Sequence, residues 1–420
     1  MIIANCDYLV LGGGVSGLMF ANKNKDNDVM IIEKENELGG YCRTVYQDGY
    51  IWDYAGHFFH FANPQIKNFF ETKISSDQLI VKEKCTKIFY KDKILDFPFQ
   101  ANIHQLGKND FIDCLYDLYF KEEKEIYSSF LDMLYGKFGR SITEMFLKPY
   151  NEKLYACDLN NLDQNAMGRF FPYANFEQIV RGFKENYHGS YNSHFLYPKK
   201  GAKVFIDALT DELSNDIIHL SEEVLSISLK EKYVITNRRK ITFKYLINTI
   251  PFNKFLNMIT DIDYSEVVKN LSWNKVLVLN LGFDKNTEFN DIHWAYFPEK
   301  SYNFYRVGFY NNILNDERLS LYVEIGYSDK DSFDIHEQLD KTLLGLRDSG
   351  IINDHKLISY IPITMNPAYV HIDSSLNDTK QSIKNELSEF GVFTIGRYGD
   401  WKYCSIEDSM IDAVNLAEKI

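Results

Sequence analysis

Residues Asp7 to Glu33 read DYLVLGGGVSGLMFANKNKDNDVMIIE, and the fold is decided there. Asp7–Leu11 is a short apolar run of strand type. Gly12–Gly17 (GGGVSG) follows, Leu18–Asn22 begins a helix, and Asp28–Ile32 is a second strand closed by Glu33. This succession is a βαβ unit, which predicts an α/β protein with a doubly wound sheet. The glycines keep the spacing Gly12-x-Gly14-x-x-Gly17, with the acid 16 residues beyond the last. Bare, that pattern is weak; between two strands and a helix it reads as a dinucleotide site. The first glycine permits a tight turn, the second lets the backbone approach a pyrophosphate, and the third lets helix and strand pack closely. Phosphates would sit on the helix N-terminus, where free N–H groups favour anions. Glu33 would accept hydrogen bonds from a ribose. The plain structural alternative is a glycine turn beside a surface acid.

The rest of the chain sets the frame. At 420 residues it is long enough for two or three domains. Its 45% hydrophobic and 25% charged residues are those of an ordinary globular protein. A net charge of −13 argues against nucleic acid as a partner. It leaves room for a small phosphate ligand, which needs only one or two arginines. The 29 tyrosines and 31 phenylalanines suit ligand pockets and cores equally. Six scattered cysteines without CxxC spacing read as reduced thiols of a cytoplasmic protein. No run of 18 apolar residues occurs, so no membrane span is expected, and the early strand leaves no room for a signal peptide. Ile103–Tyr187 has apolar residues at helical spacing, whereas Trp273–Ile363 alternates in short segments and predicts an antiparallel sheet. Val392–Ile395 reads as a last strand, followed by a glycine turn and a helix from about Ser409.

A second glycine segment, Glu37-Leu38-Gly39-Gly40-Tyr41-Cys42-Arg43-Thr44, follows the acid. It resembles the second motif of the FAD family that includes amine oxidases, protoporphyrinogen oxidase and UDP-galactopyranose mutase. Gly396-Arg397-Tyr398-Gly399-Asp400-Trp401, with Ser409-Met410 opening a helix, resembles that family's third flavin motif. The resemblance implies an FAD-binding doubly wound (Rossmann-like) domain over 1–72, 195–250 and 386–420. It implies an inserted helical substrate domain over 103–194 and an antiparallel sheet domain over 73–102 and 251–385. It assigns Gly12, Gly14, Gly17, Glu33, Gly40, Arg43, Gly56, His57, Val224, Gly396, Arg397, Ser409 and Met410 to FAD.

Further segments resemble the mutase branch in order along the chain. They are Asp53-Tyr54-Ala55-Gly56-His57-Phe58-Phe59, Asp96-Phe97-Pro98-Phe99-Gln100-Ala101-Asn102, Pro149-Tyr150-Asn151-Glu152-Lys153-Leu154-Tyr155, Gly168-Arg169, Trp294-Ala295-Tyr296 and Phe304-Tyr305-Arg306. The similarity is closest to the eukaryotic-type branch of the UDP-galactopyranose mutases. It implies interconversion of UDP-pyranose and UDP-furanose sugars with no net redox change. N5 of reduced FAD attacks the anomeric carbon, and a covalent flavin–sugar adduct forms before UDP returns. A reductant such as NAD(P)H supplies the electrons, and the composition allows a homo-oligomer.

In that scheme Arg169 and Arg306 hold the diphosphate, because arginine's planar fork suits phosphate. Tyr296, Tyr369 and Tyr403 add phenol donors, Asn151 and Tyr155 face the uridine, Gln100 and Trp294 line the substrate pocket, and His57 lies beside the flavin. The Phe170–Gly189 stretch is expected to close over the diphosphate, with Asn186–Ser193 rich in Asn, Gly, Ser and Tyr. Plain readings stand beside these: a surface cation for Arg169, a salt bridge for Arg306, a core histidine for His57. The chain departs from the family at Tyr155, where tryptophan is usual, and at Ala55, where a glycine is usual. A redox flavoenzyme of the amine or porphyrinogen oxidase type and a non-catalytic flavin-fold protein are the alternatives.

Overall fold

The computed structural model describes residues 2–184 and 194–420. Two seven-stranded sheets carry it. In the first, the spatial order is Val224–Ser228, Tyr233–Thr236, Arg239–Asn248, Ile2–Leu11, Val29–Ile32, Ile218–His219. Val392–Thr394 joins the far half of Arg239–Asn248 in parallel. The Ile2–Leu11 strand is central and pairs in parallel on both sides, with Leu9 opposite Leu246 and Met30. A strand covered on both faces must be apolar throughout, and Leu9, Val10 and Leu11 are fully buried. The helix predicted after the glycines spans Val15–Lys23, with Ser16 to Asn22 all buried. It is enclosed because Lys203–Thr210 and Ile406–Ala417 both pack on it.

The second sheet has the order Leu357–Met365, Asn274–Phe283, Ser320–Ser328, Arg306–Phe309, Trp294–Tyr296, Thr86–Tyr90, Lys93–Asp96. It is antiparallel except where Trp294–Tyr296 runs parallel to Thr86–Tyr90. The Trp273–Ile363 region is not all sheet, however: Ile335–Asp348 is a helix, with Leu339, Thr342 and Leu346 on its buried side. Between Ile103 and Lys184 the predicted helices are Lys108–Tyr119, Phe130–Ile142, Lys148–Tyr155 and Phe176–Arg181. Phe130, Leu134, Phe138, Phe146 and Tyr155 form part of their shared core. His194–Pro198 does not join the nucleotide sheet; it pairs with Leu79–Glu83 in a separate ribbon.

Of the segment expected to close over a ligand, Gly168–Phe170 is one short turn and Phe176–Arg181 a capped helix. Residues 185–189 of that segment, and with them the Asn186–Ser193 cluster, lie outside the described residues. None of the helices among the described residues is long and apolar enough to cross a membrane. All six cysteines are free thiols.

Candidate active site

The two sheets meet along a cleft of about 890 Å³ that begins at the first glycine loop. Leu11 ends its strand opposite Asn248 and Ile32, and the chain turns at Gly12 with φ of +101°, a value only glycine adopts freely. At Gly17 a Cβ would stand 2.2 Å from the carbonyl oxygen of Gly12, so the helix can pack there only as glycine. Gly14 differs: a Cβ there would meet nothing nearer than the Cα of Gly40, 4.0 Å away. Gly14 and Gly40, from the two glycine segments, face each other across open space. That is the cradle a pyrophosphate needs. Glu33 is buried, and its carboxylate accepts from the N–H groups of Gly13 (2.7 Å) and Glu35 (2.9 Å). It thereby fixes the glycine loop that it would share with a ribose. Val224 lines the same end, with Lys34 and Lys254 beside it.

Beyond the glycines, Arg43 donates from Nε to the Gly40 carbonyl (2.7 Å) and lies 4.8 Å from the ring centre of Tyr54. Gly56 is required by Tyr322, whose hydroxyl would be 2.4 Å from a Cβ. His57 follows, with its Nδ1 buried and unpartnered. Burial, then the charges of Arg306 and Arg397, lowers its pKa from 6.5 to about 4. The imidazole is therefore neutral at physiological pH, between two permanent cations.

Arg306 lines the cleft. It is also half of a salt bridge: Nε and Nη2 donate to Glu324 at 2.8 and 2.5 Å. The two are directly paired across adjacent strands, and Glu324 is fully buried. Nη1 takes no part in that fork. Arg397 is the second cleft arginine. Its Nη1 donates to the Cys404 carbonyl (3.2 Å), and its buried Nε has no partner. The rings of Tyr369 and Tyr403 lie 5.2 and 4.8 Å from its guanidinium and are stacked on each other. Tyr155 stands edge-on to Tyr369, with a buried hydroxyl that bonds to nothing.

Other expected site residues are placed differently. Arg169 is exposed and does not line the cleft; its Nη2 donates to Asp408 at 2.6 Å. Asp408 belongs to the capping box of the last helix, so Arg169 is held at the cleft's rim by the helix cap. That helix opens at Ile406, capped by Ser405, and not at Ser409. Ser405, Ile406 and Ser409 line the cleft, whereas Met410 is fully buried in the core beneath. Gly396 is tied to the first helix, because a Cβ there would be 2.1 Å from the Ser16 hydroxyl. Gln100 donates to the Pro172 carbonyl and Asn151 to that of Leu147 (2.6 Å); both are buried away from the cleft. Each keeps an unpartnered carbonyl oxygen. Trp294 stacks on Phe58 and donates to the Tyr296 hydroxyl (3.1 Å), supporting the His57 loop from behind.

Glu324 and the Ile361–Ala368 wall were not anticipated from sequence. A glutamate in the strand LSLYVEIGYS, in phase with Tyr322 and Gly326, was the available sign that a buried cation faces it.

The acid response follows from the histidines. His57, His60 and His293 are all lowered from 6.5 to about 4, each chiefly by burial. Between pH 6.5 and 4 the unfolded chain therefore binds protons that the folded one refuses, and stability falls as pH falls. Asp53 opposes this: burial raises it from 3.8 to about 6, against hydrogen bonds from Thr44, Tyr197 and Ala202. Three groups against one leave net destabilisation. The melting temperature should drop steadily from neutral pH to about 4.5; a flat or rising profile contradicts the neutral-histidine account.

Cradle, buried acid, cleft arginines and terminal helix together define a dinucleotide-flavin site, and the unpartnered Arg397 Nε and His57 Nδ1 fit a bound FAD. The chain belongs to the flavin containing amine oxidoreductase family, whose model matches residues 15–312. FAD is its cofactor.

Among curated proteins it is similar to a UDP-galactopyranose mutase of Mycoplasma genitalium, 23% identical over 56% of this chain and 61% of that one. It is also similar to the chloroplastic protoporphyrinogen oxidase of Nicotiana tabacum, 26% identical over 23% of this chain and 18% of that one. The chain thus spans at most about three fifths of the length of these relatives. Among solved structures, a reduced UDP-galactopyranose mutase superposes with a TM-score of 0.92 at 21% identity, covering 98% of this chain and 93% of that one.

Proposed function

We propose that the protein is a flavin-dependent nucleotide-sugar mutase that interconverts pyranose and furanose forms of a UDP-sugar. One observation supports this reading: Arg306, Arg397 and Tyr369 line the cleft with a histidine kept neutral, and Tyr403 stacks behind Tyr369. A redox pocket for an apolar or amine substrate has no use for two largely buried guanidinium groups. A departing nucleotide diphosphate needs them. The mutase relatives support the same reading.

FAD in its reduced form would supply the nucleophile toward the sugar's anomeric carbon. The chain's own residues then bind and orient. Gly14 and Gly40 cradle the cofactor's pyrophosphate, with Glu33 and Val224 at its adenosine end and Arg43, Gly396 and Ser409 along it. Arg306, through Nη1, faces the substrate's diphosphate together with Tyr369 and Tyr403, and Arg397, whose unpartnered Nε serves the cofactor, adds its charge to the same anion. Arg169 adds a rim contact by exchanging Asp408 for phosphate. His57, uncharged, presents the unpartnered Nδ1 without competing for the anion. Tyr155 and Tyr296 close the sugar and uridine side. The nucleotide sheet and the segment after Val392–Thr394 hold the cofactor and bring Arg397 and Tyr403, while the helical part and second sheet supply the other substrate groups. A reductant of NAD(P)H type keeps the flavin reduced.

Titrating UDP into dithionite-reduced holoprotein should perturb the flavin absorbance saturably. Arg397→Ala should weaken that response at least tenfold, equivalent to about 1.4 kcal/mol. A flavin indifferent to UDP but reduced by an amine would replace this reading with the oxidase one.

A further inference from the structure

The peptide plane between Ala368 and Tyr369 is held at both of its polar ends. Its N–H, that of Tyr369, donates to Asn274 Oδ1 at 2.7 Å. Its carbonyl, that of Ala368, accepts from the Tyr398 hydroxyl at 3.1 Å. The two partners come from different parts of the chain. Asn274 starts a strand of the second sheet and is fully buried. Its own carbonyl accepts from the Ala368 N–H (2.9 Å), and its amide donates to the Leu154 carbonyl of the Lys148–Tyr155 helix (2.5 Å). Tyr398 lies in the short Gly396–Gly399 turn that follows the Val392–Thr394 strand of the nucleotide sheet. Nucleotide sheet, second sheet and helical part thus meet on one peptide unit.

A peptide unit is rigid, so pinning both ends sets the direction in which the next side chain leaves the backbone. That side chain is Tyr369. Its ring stacks on Tyr403 and lies 5.2 Å from the Arg397 guanidinium. Arg397 and Tyr398 are consecutive, so one turn of the cofactor segment meets the ring of Tyr369 with the first and its backbone with the second. The second glycine segment reaches the same stretch. Tyr41, directly after Gly40, accepts from the Asn366 N–H at 2.8 Å and stands edge-on to Tyr398, with ring centres 5.6 Å apart. Asn366 Oδ1 accepts from Trp273 Nε1 at 2.7 Å, and Trp273 stands edge-on to Trp401 of the third segment. Phenylalanine would fill the same space as either tyrosine. The hydroxyls alone make the two backbone bonds.

We propose that Tyr398, with Tyr41 beside it, is a positioning residue that fixes Tyr369 relative to the cofactor. The step from position to substrate rests on the mutase reading, in which Tyr369 faces the diphosphate. The hydroxyl of Tyr398 is bound to backbone and acts on the substrate through Tyr369. Without it the buried Ala368 carbonyl has no donor, and the peptide unit turns about its one remaining anchor on Asn274.

Hydrogen exchange of the holoprotein reads this tie with no substrate present. Tyr398→Phe should keep its flavin and exchange the Tyr369 amide about tenfold faster, and Tyr41→Phe should do the same at Asn366. UDP titrated into dithionite-reduced Tyr398→Phe should bind about fivefold more weakly, the effect of one lost hydrogen bond. In a Tyr369→Ala background the same substitution should add nothing, because residues that act through one another are not additive. A merely structural tyrosine would weaken UDP equally in both backgrounds, and that result overturns the proposal. So does unchanged exchange at both amides. If Tyr398→Phe loses its flavin, Tyr41→Phe carried through the same cycle gives the same reading. A wild type that ignores UDP while both amides respond strikes the mutase reading and upholds the tie.

Discussion

Arg306→Ala should unfold the protein more easily and abolish its response to UDP, and the two effects have separate causes. The guanidinium is the fork that neutralises Glu324, which has no exposed surface. Removing it leaves a buried carboxylate without a counter-ion, a change that costs about 3–5 kcal/mol. The damage belongs to the abandoned glutamate as much as to the lost arginine. Replacing Glu324 in the same chain, as Arg306→Met with Glu324→Leu, should therefore recover most of the stability. It should recover none of the UDP binding, because the Arg306 guanidinium is still missing and Arg397 alone is left to face the substrate. Equal stability loss in the single and double variants would sink the buried-pair account. A double variant that binds UDP normally would remove Arg306 from the substrate site.

The second large effect separates two glycines of one motif. Gly17→Ala should destabilise even the cofactor-free protein, because the new Cβ meets the Gly12 carbonyl at 2.2 Å and a backbone atom cannot swing aside. Overpacking of this kind costs about 1–3 kcal/mol, and here it also displaces the loop itself. Gly14→Ala should leave the apoprotein's melting unchanged, since its Cβ would meet only the Gly40 Cα at 4.0 Å. Yet it should cut FAD affinity, because the methyl group projects into the pyrophosphate cradle. Melting of apoprotein and flavin content after reconstitution read the two apart. Identical behaviour of the two variants would contradict the assigned roles.

These glycines show which part of the site was legible in sequence. A tight turn, a close helix–strand contact and an acid beyond the second strand are local requirements, so residue type and spacing betray them. The structure adds the reasons: Gly12 at positive φ, Gly17 against a carbonyl, Glu33 bonded to the Gly13 N–H. The substrate side was legible only in part. Arg306 and Tyr369, which the family resemblance assigns to the substrate, line the cleft. Arg169 does not, because Asp408 holds it at the rim, 239 residues along the chain. Gln100 and Asn151 spend their amides on nearby carbonyls. Such outcomes depend on which distant elements meet, and no local pattern encodes them. The misplaced start of the last helix has a simpler cause. Ser405 and Asp408 form a capping box three residues apart, which starts the helix at Ile406, one turn ahead of the Ser409-Met410 pair.

The mutase reading is tested most directly by ring form. Reduced holoprotein incubated with UDP-galactopyranose, or a related UDP-sugar, should yield the furanose isomer. It should do so without consuming oxygen or further reductant beyond what keeps the flavin reduced, and oxidised protein should yield none. Absence of any furanose product across UDP-sugars, with oxygen uptake on adding an amine or a porphyrinogen, would contradict the account and make the protein a redox member of its family.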